Sequence, residues 1–278
     1  MTNRDNMKIA FIGGGNMASA LIAGLAGKLA AGGDIHVVDT NGEALARLNA
    51  QFGASTYSAI GPEVGACDVV VLAVKPQQMR AVAASLQPYL GANGPLLLSI
   101  AAGIRIEDLS RWLGGYGAIV RTMPNTPALI GMGITGMVAM AGVDAAQKAA
   151  ADSIMKAVGS TVWLADEAQI DAVTAVSGSG PAYVFYFIEA MQQAALELGL
   201  SEEQGKQLAL ATFTGAAQLA VQSADPVPLL REKVTSKGGT TYAALSSMEH
   251  SGVKERIIAG IKAAAARGKE LGEEMGKG

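Results

Sequence analysis

Two glycine-rich turns, each running into a helical pattern, hold the residues of this chain with the clearest capacity for chemistry. Near the N-terminus, KIAFIGGGNMASALIAGL supplies an apolar strand, the turn Gly13-x-Gly15-x-x-Ala18 and an amphipathic helix. Gly13 permits a tight turn, Gly15 lets the backbone approach a diphosphate, and Ala18 keeps the helix close to the sheet. The amides at the helix start then supply the donors, an arrangement that holds a dinucleotide pyrophosphate. Far along the chain, Val234–Glu249 reads VTSKGGTTYAALSSME. There Gly238 and Gly239 can take positive φ and expose consecutive amides while Thr240 or Thr241 caps the next helix, which would hold a carboxylate without any arginine. A third glycine-rich stretch, SGSGPA at Ser177–Ala182, reads as another such turn, serving either substrate contact or close helix packing. A dinucleotide and a small anion on one chain point to a dehydrogenase or reductase.

Alternating patterns supply the elements that position these turns. Through about Leu164, short β-branched runs alternate with alanine-rich helical periods, the spacing of βαβ units around a parallel sheet. The predicted strands are Lys8–Ile12, Ile35–Val38, Asp68–Val74, Pro95–Ile100, Ala118–Met123, Gly133–Met140 and Thr161–Leu164. Beyond that point strand signals stop. Helix starts are read at Pro181, at the capping box of Ser201 and Gln204, at Asp225-Pro226 and at Thr240/Thr241. The expected fold class is α/β: a Rossmann-type doubly wound sheet over residues 1–165, then an all-α domain over 166–278, joined by a short link near Ala165–Glu167.

Ligands of such sheets occupy the crevice beyond the carboxyl ends of the strands. Besides Gly13 and Gly15, with Asn16 and Met17 at the helix start, the candidate cofactor residues therefore fall in three loops that should surround the nicotinamide. They are Ala73, Val74, Lys75 and Pro76 of AVKPQ; Ala101, Ala102 and Gly103 of SIAAG, small enough for a flat ring to lie close; and Asn125 of MPNTPA. Asp39 closes the second strand about twenty residues beyond Ala18, where a carboxylate accepts hydrogen bonds from an adenosine ribose and favours NAD. The alternative is that Asp39 caps the following helix. A 2′-phosphate would want cations or hydroxyls, for which Thr40, Asn41 and the more distant Arg47 provide in part, so NAD and NADP both stay open.

Composition excludes other classes. With 21 basic against 24 acidic residues and a net charge of -3, no basic run is present to neutralise a phosphate backbone, and nucleic acid is not an expected partner. The single cysteine, Cys67, allows neither a disulfide framework nor a zinc cluster and reads as a small buried hydrophobe, so no metal is expected. Five glycines and Asn16 interrupt Met7–Leu29, which therefore does not read as a signal peptide, and no apolar run is long enough to span a membrane. A cytoplasmic protein is expected, its apolar surplus covered in an oligomer.

FIGGGNMA, AVKP, SIAAG, MPNTPA, VSGSGPAYVF and VTSKGGTTYAAL occur here in one order and spacing, and in these motifs the chain resembles the pyrroline-5-carboxylate reductase family over essentially its whole length. The resemblance implies NAD(P)H-dependent reduction of the cyclic imine 1-pyrroline-5-carboxylate to L-proline, the last step of proline biosynthesis. It also implies that the helical domain serves dimerisation, with each active site near the interface of a homodimer, and that many members form rings of five dimers, a homodecamer. By the same resemblance, Ser236, Gly239, Thr240 and Thr241 hold the substrate carboxylate, and the Thr241 hydroxyl hydrogen-bonds the ring nitrogen as the catalytic side chain. Two departures stand out: Lys237 where many members carry proline, and Asp39 in place of hydroxyl or cationic residues.

Of the two histidines, His36 and His250, neither reads as a catalytic base. An imine does not demand one, because protonation of its nitrogen already activates it and the enzyme mainly aligns C=N with the hydride donor. A rival class with this architecture, the β-hydroxyacid dehydrogenases, needs a lysine inside a helix of the second domain. Lys206 is the candidate, but its neighbours Gln204, Gly205 and Gln207 do not recreate that group's pattern. A second rival is a dinucleotide sensor without turnover, which would have no use for a second anion cradle.

Overall fold

The computed structural model describes residues 7–91 and 94–277. The chain divides into two compact units, one of Met1–Ser179 with Ala264–Gly278 and the other of Gly180–Ala263.

Among the described residues the first unit has eight strands: β1 (Ile9–Ile12), β2 (Ile35–Val38), β3 (Ser55–Tyr57), β4 (Val69–Leu72), β5 (Leu96–Ser99), β6 (Ile119–Met123), β7 (Gly133–Ala139) and β8 (Gly159–Trp163). They form one sheet in the order β3-β2-β1-β4-β5-β6-β7-β8, whose reversal at β1 is that of a doubly wound Rossmann-type fold. Alternate residues of each central strand feed opposite faces. Ile9, Phe11, Val69, Val71, Leu96 and Leu98 join one apolar cluster, while Ala10, Ile12, Val70, Leu72 and Leu97 join the other. That double burial is why these strands read as continuous apolar runs.

Helices α1 (Asn16–Leu25), α2 (Gly42–Phe52), α3 (Pro62–Gly65), α4 (Met79–Leu86), α5 (Ile106–Trp112), α6 (Ala145–Lys156) and α7 (Gln169–Val173) pack in this unit. α1 buries Ala18, Leu21, Ile22 and Leu25. They pack in the same cluster as Ile154 and Met155 of α6.

Three expectations are corrected here. The sheet is not wholly parallel: β6 and β7 pair antiparallel, Val120 opposite Ala139. Only the short 3-10 turn Thr126–Ile130 joins them, too little chain for a parallel crossover. β3, absent from the predicted strands, is a three-residue edge strand that is only half-buried, so no apolar alternation marks it. SGSGPA is not a turn. Thr174–Gly178 is a π-helical segment in which Ser179 N donates to Thr174 O at 2.8 Å, and it leads into α8 (Gly180–Glu197). Neither Gly178 nor Gly180 takes positive φ. Gly178 is needed for closeness, since a Cβ there would lie 2.7 Å from Met123 Cε.

The second unit is helical: α8, α9 (Glu202–Gln222), α10 (Val227–Lys233), α11 (Thr240–His250) and the start of α12 (Val253–Gly276), whose residues from Ala264 belong to the first unit. Gly199 takes φ 90 past the end of α8, and Ser201 opens α9 with the expected capping box. Gly205 lets α9 approach α8, as a Cβ would stand 3.0 Å from that of Ala195. Phe185 and Tyr186 are 65% and 74% exposed, and Leu208, Leu219 and Val221 are exposed with them. Exposed apolar side chains in this number mark an association face.

Candidate functional site

A cleft of about 860 Å³ opens at the carboxyl ends of β1, β2 and β4. Of the predicted cofactor residues, Gly13, Gly15, Asp39, Ala73, Val74 and Lys75 line it. Thr40, Asn41 and Ser58–Ile60 wall its β2–β3 side, and Gln77, Gln78 and Val82 lie on the side of α4.

The glycines act separately. Gly13 takes φ 104, and a Cβ there would meet Ala73 O at 2.5 Å, so only glycine lets the two strand-end loops touch. Gly15 has nothing within 4 Å of an added Cβ; its missing side chain keeps the cleft open rather than permitting packing. As the N-cap of α1, Gly15 offers no side-chain acceptor, and no acidic residue stands in the first turn. The first-turn amides of Asn16, Met17 and Ala18 have no partner one helical turn back. The residues present therefore fit a diphosphate, whose oxygens would accept from that turn.

Asp39 does not cap α2; Asn41 does, its side-chain oxygen accepting from Glu43 N and Ala44 N. Instead Asp39 Oδ2 accepts from Gly14 N at 2.6 Å and Oδ1 from Asn41 N at 2.8 Å. The carboxylate thus locks the glycine turn to the end of β2 and lies in the cleft wall. Arg47 lines a separate crevice of about 290 Å³ with Asn16, Gln51, Phe52 and Leu129, so it is no wall of the main cleft. Met17 packs against the first apolar cluster, and Pro76 opens a 3-10 turn after Lys75.

Past β5, Ala101 is buried, Ala102 is exposed and Gly103 takes φ 75. Asn125 is committed at both ends: Nδ2 donates to Ser177 O at 3.1 Å and Oδ1 accepts from Ile134 N at 2.9 Å. Pro181, four residues past Ser177, has no N–H for that carbonyl, so Asn125 supplies a donor that the helix lacks. Arg121, buried in β6, pairs through Nη1 with Glu167 Oε1 at 2.7 Å, and the same oxygen accepts from Ile106 N at 2.7 Å. This lock on the start of α5 was missed in the sequence, although an arginine inside the apolar run AIVRTM was its signal.

The second glycine turn lies in the other unit. Gly238 takes φ 76, and Gly239 N donates to Ser236 O at 3.0 Å. The expected threonine cap is corrected: Gly239 is the N-cap of α11, no side chain caps the helix, and Thr240 and Thr241 are its first two residues. Both amides lack a partner one turn back, which leaves the helix start with open donors beside the Thr241 side chain. Ser236, Lys237 and Thr240 are exposed, and Gly239 and Thr241 half-buried. His36 Nδ1 lies 3.2 Å from Tyr57 Oη with the rings stacked, and His250 ends α11. Lys206 is exposed on α9. Among the described residues, no three His, Cys, Asp or Glu side chains cluster as metal ligands, and no helix is long and apolar enough to cross a membrane.

Comparison with known proteins adds the following. Residues 167–271 match the family described as pyrroline-5-carboxylate reductase dimerisation. Residues 8–103 match one described as NADP oxidoreductase, coenzyme F420-dependent. A pyrroline-5-carboxylate reductase of Pseudomonas aeruginosa is 46% identical over 270 residues, covering 97% of this chain and 98% of that one. A solved pyrroline-5-carboxylate reductase of Coxiella burnetii superposes with TM-score 0.91 at 40% identity, covering 96% of this chain and 98% of that one. A pyrroline carboxylate reductase of Plasmodium falciparum, solved with NADP bound, superposes with TM-score 0.85 at 32% identity, covering 97% and 100%.

Proposed function

The chain belongs to the pyrroline-5-carboxylate reductase family, and on that premise we propose that it reduces 1-pyrroline-5-carboxylate to L-proline, the last step of proline biosynthesis, with a nicotinamide dinucleotide as cofactor. The observation that carries the substrate half is the uncapped start of α11, where Gly238 and Gly239 present the open amides of Thr240 and Thr241. A carboxylate held there accepts those hydrogens, Ser236 closes the turn, and the Thr241 hydroxyl reaches the ring nitrogen. The bound dinucleotide, in reduced form, supplies the hydride. Gly13, Gly15, Asn16 and Met17 hold its diphosphate; Asp39 borders the adenosine end, and the Ala73–Pro76 loop, expected at the nicotinamide, borders that end too, since it shares the cleft wall with Asp39; Ala101, Ala102 and Gly103 flank the nicotinamide.

Asn125 borders the cofactor and also ties Ser177 O to Ile134 N behind it. The imine nitrogen arrives protonated, so the chain's work is alignment of C=N and exclusion of other orientations. The match to a dimerisation family and the exposed apolar side chains of the helical unit support association. We extend the proposal to a cytoplasmic homodimer with its active site near the subunit interface, and to a ring of five dimers whose mass sedimentation would read.

The deciding experiment mixes protein, the imine and either NADPH or NADH and follows the absorbance of the reduced cofactor. Imine-dependent oxidation is expected, and its absence with both cofactors would overturn the proposal.

A further inference from the structure

We propose that the C-terminal end of α12 is a positioning segment for the nicotinamide end of the site, acting through the loop Ala101–Arg105. The proposal rests on the cofactor reading above. Gly268, Gly272 and Gly276 recur every four residues and so share one face of the helix. A Cβ on each would meet a different side chain of the same unit: Asp171 Oδ1 at 3.7 Å, Arg105 Nε at 3.2 Å, and Asp108 Cγ at 2.9 Å. Gly272 is the buried residue of α12. Glycine inside a helix costs about 1 kcal/mol relative to alanine, so Gly272 trades helix stability for close approach to Arg105 of the loop.

The contacts between the glycines aim at the loop itself. Leu271 Cβ would stand 3.7 Å from a Cβ on Gly103, whose φ of 75 makes the loop's turn. Arg105 Nη2 pairs with Glu273 Oε1 at 3.7 Å, and Arg111 Nη2 donates to Gly276 O at 3.0 Å. Met275 packs on the apolar cluster that holds Ala101, Ile104 and Ile106. From the other side, Glu167 fixes Ile106 N. The loop is thus gripped from Gly103 to Ile106 while Ala102 stays exposed. The helix end therefore sets where this loop meets a flat ring, yet none of its residues lines the cleft at the other end of the dinucleotide site.

The test compares Met275→Ala and Gly272→Leu with wild type, with Met275→Leu as the conservative rescue and the exposed Lys269→Ala as control, all in the full chain. Four quantities are read: melting temperature, affinity for 2′,5′-ADP and AMP as probes of the adenosine half, KM for the reduced dinucleotide, and kcat. Met275→Ala is expected to raise dinucleotide KM and lower kcat by about five- to tenfold each, as loss of alignment does. Fragment affinity stays unchanged, and Met275→Leu restores wild-type values. Gly272→Leu should do the same more strongly; if it does not fold, Met275→Ala decides alone. A lower melting temperature with unchanged kinetics, or equal loss of fragment and dinucleotide binding, would overturn the positioning role. Wild-type protein that binds neither fragment in the cleft would overturn the cofactor reading instead.

Discussion

Asp39 Oδ2 accepts the amide hydrogen of Gly14 at 2.6 Å, so the acidic residue that ends β2 also holds the glycine turn in shape. One carboxylate thereby serves both the architecture of the turn and the wall against which a ribose would rest. Among the described residues no arginine lines that cleft, Lys75 being its cation, and a 2′-phosphate beside Asp39 would meet like charge.

Replacing the carboxylate is therefore expected to change cofactor choice. Asp39→Ser should raise the ratio of kcat/KM for NADPH over NADH by about tenfold, equivalent to roughly 1.4 kcal/mol. Parallel assays with the two cofactors read this directly. An unchanged ratio would remove Asp39 from the ribose wall.

Thr241, second residue of α11, is assigned one or two hydrogen bonds to substrate. Thr241→Ala should lower kcat/KM for the imine by about ten- to a hundredfold and leave dinucleotide KM nearly intact. A variant with wild-type kcat/KM would refute the assigned role.

Asn125 is expected to act on stability. Asn125→Ala leaves Ser177 O and Ile134 N without their side-chain partner, at a cost of about 2 kcal/mol for two part-buried groups. Denaturant unfolding measures the loss, which should appear as a lower midpoint with unchanged slope.

Cys67 tests burial. Desolvation, reinforced by the negative charge of Asp68, pushes its thiol up to about 11, so below that pH the group is a thiol rather than a thiolate. The native protein should resist Ellman's reagent at pH 8 and react fully in denaturant. Rapid native labelling would show that the β4 end of the sheet opens.

The acid limb of stability has a contributor in Asp152. Burial opposes its ionisation, but hydrogen bonds from Lys156 and Thr161 outweigh it and hold the carboxyl below its ordinary value of 3.8. With the folded value depressed, the stabilisation is present above 3.8 and is lost as pH falls toward the folded value. Asp152→Asn should therefore destabilise at neutral pH and lose its difference from wild type in strong acid. A pH series of melting temperatures checks the sign.

Much of this was legible in the sequence because it rests on local rules. Gly13 and Gly15 announce the turn by type and spacing, the central strands announce themselves by double burial, and Ser201 with Gln204 marks a helix start. What escaped depends on partners distant in sequence. SGSGPA at Ser177–Ala182 reads as a turn, but its start lies in the π-helical Thr174–Gly178, where Asn125 donates to Ser177 O, and its end in α8. β3 carries too few buried residues to show a period. The antiparallel β6–β7 pair follows from a connection length rather than from strand composition. Asp39 reads equally as cap or ribose ligand, and Asn41 took the cap because its side chain reaches Glu43 N and Ala44 N. The spacing of Gly268, Gly272 and Gly276 went unread, because its meaning lies in Arg105 and Asp108 across the unit.

The most direct measurement is a crystal structure with oxidised dinucleotide and L-proline bound together. The expected density puts the diphosphate on the Gly13–Met17 turn and the proline carboxylate within hydrogen-bond reach of the Thr240 and Thr241 amides. Proline lodged away from Ser236–Thr241 would contradict the proposed site.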